Sequence, residues 1–361
     1  VSDRPTLSRR SFLAAAAAAP LLPSVLPSLG PSRAVAAPAA AAVPAAPPPV
    51  DPARLEPVLV AARDLAPLRA MIIAKDGRTV AETVFRGPAL DRPVNVKSVS
   101  KTILATLVGI AIDRGHLEGV DQPVAPLLGS RVPADADPRV RRITVGHLLS
   151  MRSGLASTSG TNYGRWTASR DWVAFALSRP FEDEPGGRMI YSTGNSHILA
   201  TVLTRVTDRS VLSLARDWLG EPLGITVPPW PRDPAGVHFG GNDMELSPRG
   251  LARFAAMIET GGEIDGRRVV PAAWIAASFQ PKGASRHTGH GYGYGWFTFE
   301  VDGRPVRYAW GYGGQMVYVV PDAGVTAVMT SDVGSPSART GYVRDLHALL
   351  ARRILPAVQA A

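Results

Sequence analysis

The chain has 361 residues, 45% of them hydrophobic and 19% charged, which places it among globular chains able to bury one large core or two intimately packed ones. It contains no cysteine, so disulfides and thiolate metal sites are excluded. The net charge of +9 falls to +6 without residues 1–36, which hold four arginines and one aspartate; the remainder is spread out, with no basic run interleaved with aromatics to suggest nucleic acid.

In chain order, Ser8-Arg9-Arg10-Ser11-Phe12-Leu13 and the alanine-rich stretch to about Leu26 come first. They resemble a twin-arginine export signal, with Ala34-Val35-Ala36 as a small-residue cleavage site. The resemblance implies the twin-arginine export machinery as a partner and a periplasmic or secreted location. No stable membrane span is expected after processing, because Pro20, Pro23 and Pro27 interrupt a stretch already shorter than the roughly 20 apolar residues a span needs. Residues 37–52 are Ala/Pro-rich, cannot bury a core, and are expected to form a disordered tail.

Residues 69–74 and 79–85 flank Asp76-Gly77 and read as a β-hairpin. An apolar run from Ile103 to Ile112 reads as a buried helix that begins near Ser98 and ends near Gly115. Helices are expected at residues 144–149, 169–177, 196–206 and 247–258. Short β-branched or aromatic strands follow at 295–301, 305–310, 316–320 and 325–330, and a last helix at 341–354. The expected fold class is α/β of the α+β kind. An antiparallel sheet with packed helices is built from residues 53–114 and 251–361, and a mostly helical region, residues 115–250, is inserted between.

Chemistry concentrates at Ser98-Val99-Ser100-Lys101, where a serine and a lysine stand one turn apart at a helix start. A serine hydroxyl is a poor nucleophile, and a neighbouring amine can take its proton only where burial or a nearby cation keeps that amine neutral. The helix N-terminus adds a positive end and unpaired amides that can face an oxyanion.

Four segments, in their order and spacing, carry a resemblance: residues 96–102 around Ser98, residues 143–155, residues 185–193 (Pro185-Gly186-Gly187-Arg188-Met189-Ile190-Tyr191-Ser192-Thr193), and Trp310-Gly311-Tyr312-Gly313-Gly314-Gln315. Over about residues 55–356 the chain resembles the serine β-lactamase and penicillin-binding-protein superfamily. Within it, the similarity is to the class C-like branch of exported esterases, D-amino-acid peptidases and 6-aminohexanoate-dimer hydrolases. The resemblance implies Ser98 as the acylated nucleophile, Lys101 as its partner in proton transfer, and Tyr191 as a phenol that shuttles the proton to the leaving group, its anion stabilised by the lysine cation. It implies an oxyanion hole formed by the backbone N–H groups of Ser98 and Tyr312, with Gly311 and Trp310 on the strand beside the substrate.

Two departures matter. The tyrosine motif ends in Thr193 where class C enzymes keep an asparagine, and Asn195 is the nearest residue able to make the substrate amide contact. Ala309 stands where penicillin-recognising relatives carry a lysine or histidine. Tyr163, Trp166 and Trp172 fall where an apolar acyl pocket or plain core packing is equally expected.

Other chemistries fit less well. Gly194-Asn195-Ser196-His197 lacks the last glycine of a nucleophile elbow. His287 and His290 lie in a Gly-rich loop without a zinc-binding helix. His147 and His197 sit on apolar helix faces, the ordinary setting of core histidines. The reading is an exported, cofactor-free serine hydrolase acting on small-molecule esters or amides. A β-lactamase or D-alanyl-D-alanine peptidase and a non-catalytic penicillin-binding-like sensor module are the alternatives.

Overall fold

Asp51 accepts a hydrogen bond from the Ala53 N–H at 2.9 Å and Pro52 occupies the first helical position, so helix α1 (Pro52–Arg63) starts with a matched cap. A computed structural model describes residues 50–334, 337 and 340–359. The expected export signal and all but the last residues of the expected tail lie outside the described residues. The sequence reading missed α1 because Pro57 interrupts its pattern.

The hairpin forms as β1 (Leu68–Lys75) and β2 (Arg78–Val84). Its turn, Asp76 at φ 48° and Gly77 at φ 73°, has the two successive positive values that a tight antiparallel connection requires. Helix α2 (Ser100–Asp113) follows, with every residue from Ser100 to Ala111 buried. At about 1.5–3 kcal/mol for each large aliphatic side chain removed from water, this burial fixes the helix firmly enough to hold unfavourable groups at its start. The helical region includes α3 (Val145–Leu149), α4 (Trp172–Leu177) and α5 (Thr193–Thr207), and then α6 (Pro248–Glu259), capped by Ser247.

The chain then returns to strands: β3 (Gly283–Ala284), β4 (Gly291–Tyr292), β5 (Phe297–Val301), β6 (Arg304–Gly311), β7 (Gln315–Val320) and β8 (Val325–Ser331). Together with the hairpin they make one eight-stranded sheet in the order β2-β1-β8-β7-β6-β5-β4-β3, every described pairing antiparallel. The first hairpin closes on the last strand, with Ile72 opposite Val328.

Alternation along the strands divides the core. Ile72, Ala309, Val317, Val319 and Val328 pack with α2 and α6 on one face. Met71, Ile73, Tyr308, Met316, Tyr318 and Met329 pack with α1 and the C-terminal helix α7 (Tyr342–Leu349) on the other. Helix α7 does not run regularly to Ile354 as expected: it widens into a π turn at Leu350–Ile354 and continues from Leu355 to Gln359. No helix among the described residues is long and apolar enough to cross a membrane.

Candidate active site

The approach to α2 is a forced turn. Asn95 Oδ1 accepts from the Lys97 N–H at 2.9 Å, and Lys97 takes φ 50°, a left-handed conformation that a lysine adopts only when its surroundings impose it. Lys97–Val99 then makes one 3₁₀ turn that runs into α2. Ser98 is left partly buried at the head of the helix while Lys101, one turn on, is only 3% exposed.

Lys101 Nζ lies 2.9 Å from Ser98 Oγ and donates to the Gly241 carbonyl. It also stands over the Tyr191 ring, 5.1 Å from its centre. Burial pulls the Lys101 ammonium down from 10.5 to about 7, against the opposing pull of the Asp243 carboxylate. Burial pushes the Tyr191 phenol up from 10.0 to about 12, partly offset by its hydrogen bond with Ser98. Both shifts run against a phenolate at this site: burial favours the neutral lysine and the protonated tyrosine.

Strand β6 brings the opposite wall. A Cβ at Gly311 would stand 2.4 Å from the Val96 carbonyl oxygen and 3.1 Å from Lys97 Cβ, so only glycine lets the strand end lie against the segment leading to Ser98. Tyr312 follows the last residue of the β6–β7 ladder, which frees its N–H from strand pairing; its side chain is 46% exposed. Trp310 is partly buried, and its indole Nε1 has no hydrogen-bond partner among the described residues.

Two expected substrate contacts are corrected by packing. Trp166 is fully buried, donates from Nε1 to the Trp172 carbonyl at 2.9 Å, and packs against Trp172, His197 and Phe239. It belongs to the core. The Asn195 amide is enclosed, its Oδ1 accepting from Ser153 Oγ at 3.0 Å and its Nδ2 facing Met151 Sδ at 3.9 Å. Thr193, in the position of the missing asparagine, pairs with Ser159 Oγ at 2.9 Å.

The residues that sequence reasoning missed are Gly240 to Asp243. The Gly240 N–H approaches His197 Nδ1 at 3.4 Å, which leaves the other ring nitrogen, Nε2, to donate to Asp233 Oδ2 at 3.0 Å. Gly241 supplies the carbonyl to Lys101, and a Cβ there would lie 3.2 Å from Lys101 Nζ. Asn242 Nδ2 donates to Tyr163 Oη at 2.7 Å. Asp243 Oδ1 accepts from Lys97 Nζ at 2.9 Å and from Asn95 Nδ2 at 2.8 Å. In the sequence, Gly-Gly-Asn-Asp signals only a turn.

Known proteins resemble this chain in sequence and in fold. Penicillin-binding protein 4 of Amycolatopsis lactamdurans is 31% identical over 303 residues, covering 72% of this chain and 78% of the relative. The 6-aminohexanoate-dimer hydrolase of Paenarthrobacter ureafaciens is 26% identical over 228 residues, covering 57% of this chain and 55% of that protein. Among solved structures, EstCE1, described as a hydrolase with promiscuous acyltransferase activity, superposes with a TM-score of 0.66 at 18% identity over 85% of this chain and 98% of its own, a likeness of fold. The family model described as beta-lactamase matches residues 61–352, and the chain belongs to the beta-lactamase family, a family of serine hydrolases.

Proposed function

We propose that the protein is an exported hydrolase that cleaves carboxylic esters or small amides through an acyl-Ser98 intermediate. The observation that carries this reading is a buried amine, held near a pKa of about 7, lying 2.9 Å from a serine oxygen at the head of a helix. Ser98 Oγ attacks the acyl carbon as its proton passes to Lys101 Nζ. The oxyanion that forms faces the N–H groups of Ser98 and Tyr312. Collapse expels the alcohol or amine, which takes its proton from Lys101 by way of the Tyr191 hydroxyl. Water then attacks the acyl group with Lys101 again as base, and Ser98 is released.

Ala309 favours neutral substrates. It is fully buried and brings no cation to the position matched by a lysine or histidine in penicillin-recognising relatives. A substrate carboxylate therefore lacks a charge-assisted hydrogen bond worth roughly 1.5–3 kcal/mol, or about one to two orders of magnitude in acylation efficiency. The similarity to a protein called penicillin-binding protein supports the second reading, a β-lactamase or D-alanyl-D-alanine peptidase.

The test is intact-protein mass after exposure to short-chain p-nitrophenyl esters and to benzylpenicillin, with kcat/KM for each. An acyl increment that disappears in Ser98→Ala, and a kcat/KM for the ester at least tenfold above that for penicillin, are expected. Comparable efficiencies would move the function to the second reading, and no increment with any compound to a non-catalytic module. Export rests on Arg9-Arg10; lysine at both positions should hold the precursor in the cytoplasm, and normal yield in the exported fraction would refute it.

A further inference from the structure

We propose that Asp243, with Lys97 as its counter-ion, is a positioning residue for the Ser98–Lys101 pair, tying the chain just before the nucleophile to the loop that holds the base. This rests on the hydrolase reading above. One carboxylate oxygen, Asp243 Oδ1, receives both Lys97 Nζ (2.9 Å) and Asn95 Nδ2 (2.8 Å), while Asn95 Oδ1 accepts the Lys97 N–H (2.9 Å). Two residues back along the same loop, the Gly241 carbonyl takes a hydrogen bond from Lys101 Nζ. Val96 N–H to the Met244 carbonyl, at 2.9 Å, closes the second edge of the junction. Nucleophile and base are thus fixed by two segments that are fixed to each other through Asp243.

Backbone conformation supports the same reading. Lys97 (φ 50°) and Asp243 (φ 58°) are both left-handed, and they are the two partners of the ion pair. Such conformations persist where surrounding contacts over-determine them. Asp tolerates this region and Lys does not, so the cost falls on the residue adjacent to Ser98, where the turn delivers the hydroxyl to the head of α2. The pair is also shielded, with side-chain exposures of 22% for Lys97 and 24% for Asp243, unlike a bridge in open solvent.

The charges give the arrangement a signature that packing alone lacks. The titratable and charged groups facing Lys101 Nζ are Ser98 on its own turn, Tyr191 ahead of α5, and Asp243 on the loop, with Lys97 bound to Asp243. The Asp243 carboxylate favours the protonated lysine, and by charge repulsion the ammonium of Lys97 bound to that carboxylate acts in the opposite direction. Removing one or the other must move the protonation of Lys101 in opposite directions. Asp243→Asn keeps an acceptor and a residue that tolerates positive φ, whereas Lys97→Met keeps the length of the stem.

The experiment measures the pH dependence of Ser98 phosphonylation by a fluorophosphonate, followed by intact-protein mass. Ser98 Oγ bonds to phosphorus, fluoride leaves, and the hydroxyl proton passes to the Lys101 amine, so the acid limb reports that amine without a chosen substrate. Asp243→Asn is expected to move the limb to lower pH and Lys97→Met to higher pH, each by roughly half a unit or more, with the double variant returning toward the unmodified protein. Limbs that stay in place, or both move the same way, overturn the proposal and leave a structural bridge. Should Asp243→Asn fail to fold, Lys97→Met and Lys97→Gln decide by the upward shift alone. No labelling of Ser98 in the unmodified protein at any pH would refute the hydrolase reading itself, whereas labelling with unshifted limbs refutes only this inference.

Discussion

Two polar clusters flank the same sheet, one at the head of α2 and one under α7, and both contain titratable groups displaced by burial. Around Lys101, burial lowers an amine to about 7 and raises the Tyr191 phenol to about 12. Between the sheet and α7, Tyr318 Oη meets His347 Nδ1 at 3.0 Å and Tyr308 Oη meets His290 Nδ1 at 2.8 Å. Burial there lowers His347 to about 3, with His290 adding to the effect, and raises both tyrosines. The physical cause is the same, yet only the first cluster places its depressed base on a nucleophile that solvent can reach. Ser98 is partly open and lies 2.9 Å from Lys101 Nζ, whereas the hydroxyls of the second cluster belong to tyrosines no more than 2% exposed. A displaced pKa becomes chemistry where geometry supplies a reacting atom and access to it; elsewhere it is a consequence of packing.

The largest expected effect comes from removing the first base. Lys101→Met should lower kcat/KM by three orders of magnitude or more while raising the melting temperature, because a buried amine is exchanged for an apolar side chain of similar length. The sign with pH follows from linkage. Folded Lys101 titrates near 7 and an unfolded lysine near 10.5, so between these values the unfolded chain binds the additional proton and the unmodified protein loses stability as pH falls. The stabilisation should be full at pH 6 and fade toward pH 10.5 in calorimetric melts. Equal melting differences at both ends would break the contrast between the two clusters on the Lys101 side.

The smallest effect on turnover belongs to the second cluster. His347→Phe should leave ester turnover within about twofold, since His347 belongs to the cluster under α7 and not to the one that holds the base. Its influence is on acid stability. Folded His347 titrates near 3 and unfolded near 6.5, so stability is lost as pH falls from about 6.5 toward 3, and the variant should retain more of its neutral-pH stability at pH 4 in urea unfolding. A tenfold loss of turnover would show that the two clusters are coupled and remove the distinction.

Much of this division was legible from residue patterns. The opening hairpin, the long strands from Phe297 to Ser331 and the burial of α2 follow from alternation, turn residues and an unbroken apolar run. Ser98 and Lys101 were legible because three residues in a helical turn bring side chains together whatever the rest of the fold does. The Gly241 carbonyl was not, since it reaches Lys101 from 140 residues away and belongs to a run that signals only a turn. Trp166 and Asn195 were misassigned for a related reason: sequence places them near the right elements, but the direction of each side chain is set by tertiary packing that no local pattern encodes. Helix α1 was hidden by Pro57, which interrupts its pattern inside the helix.

The central claim is that Lys101 titrates near neutral pH beside Ser98, so that a substantial share of it is free amine there. Its most direct test is a heteronuclear NMR titration of the lysine side chains, tractable because the chain has only Lys75, Lys97, Lys101 and Lys282, with the Lys101 signal assigned by its loss in Lys101→Met. A titration midpoint near 7 is the expected result. A Lys101 midpoint near the ordinary lysine value of 10.5 would contradict the account, because the amine would then be fully protonated where it must act as the base.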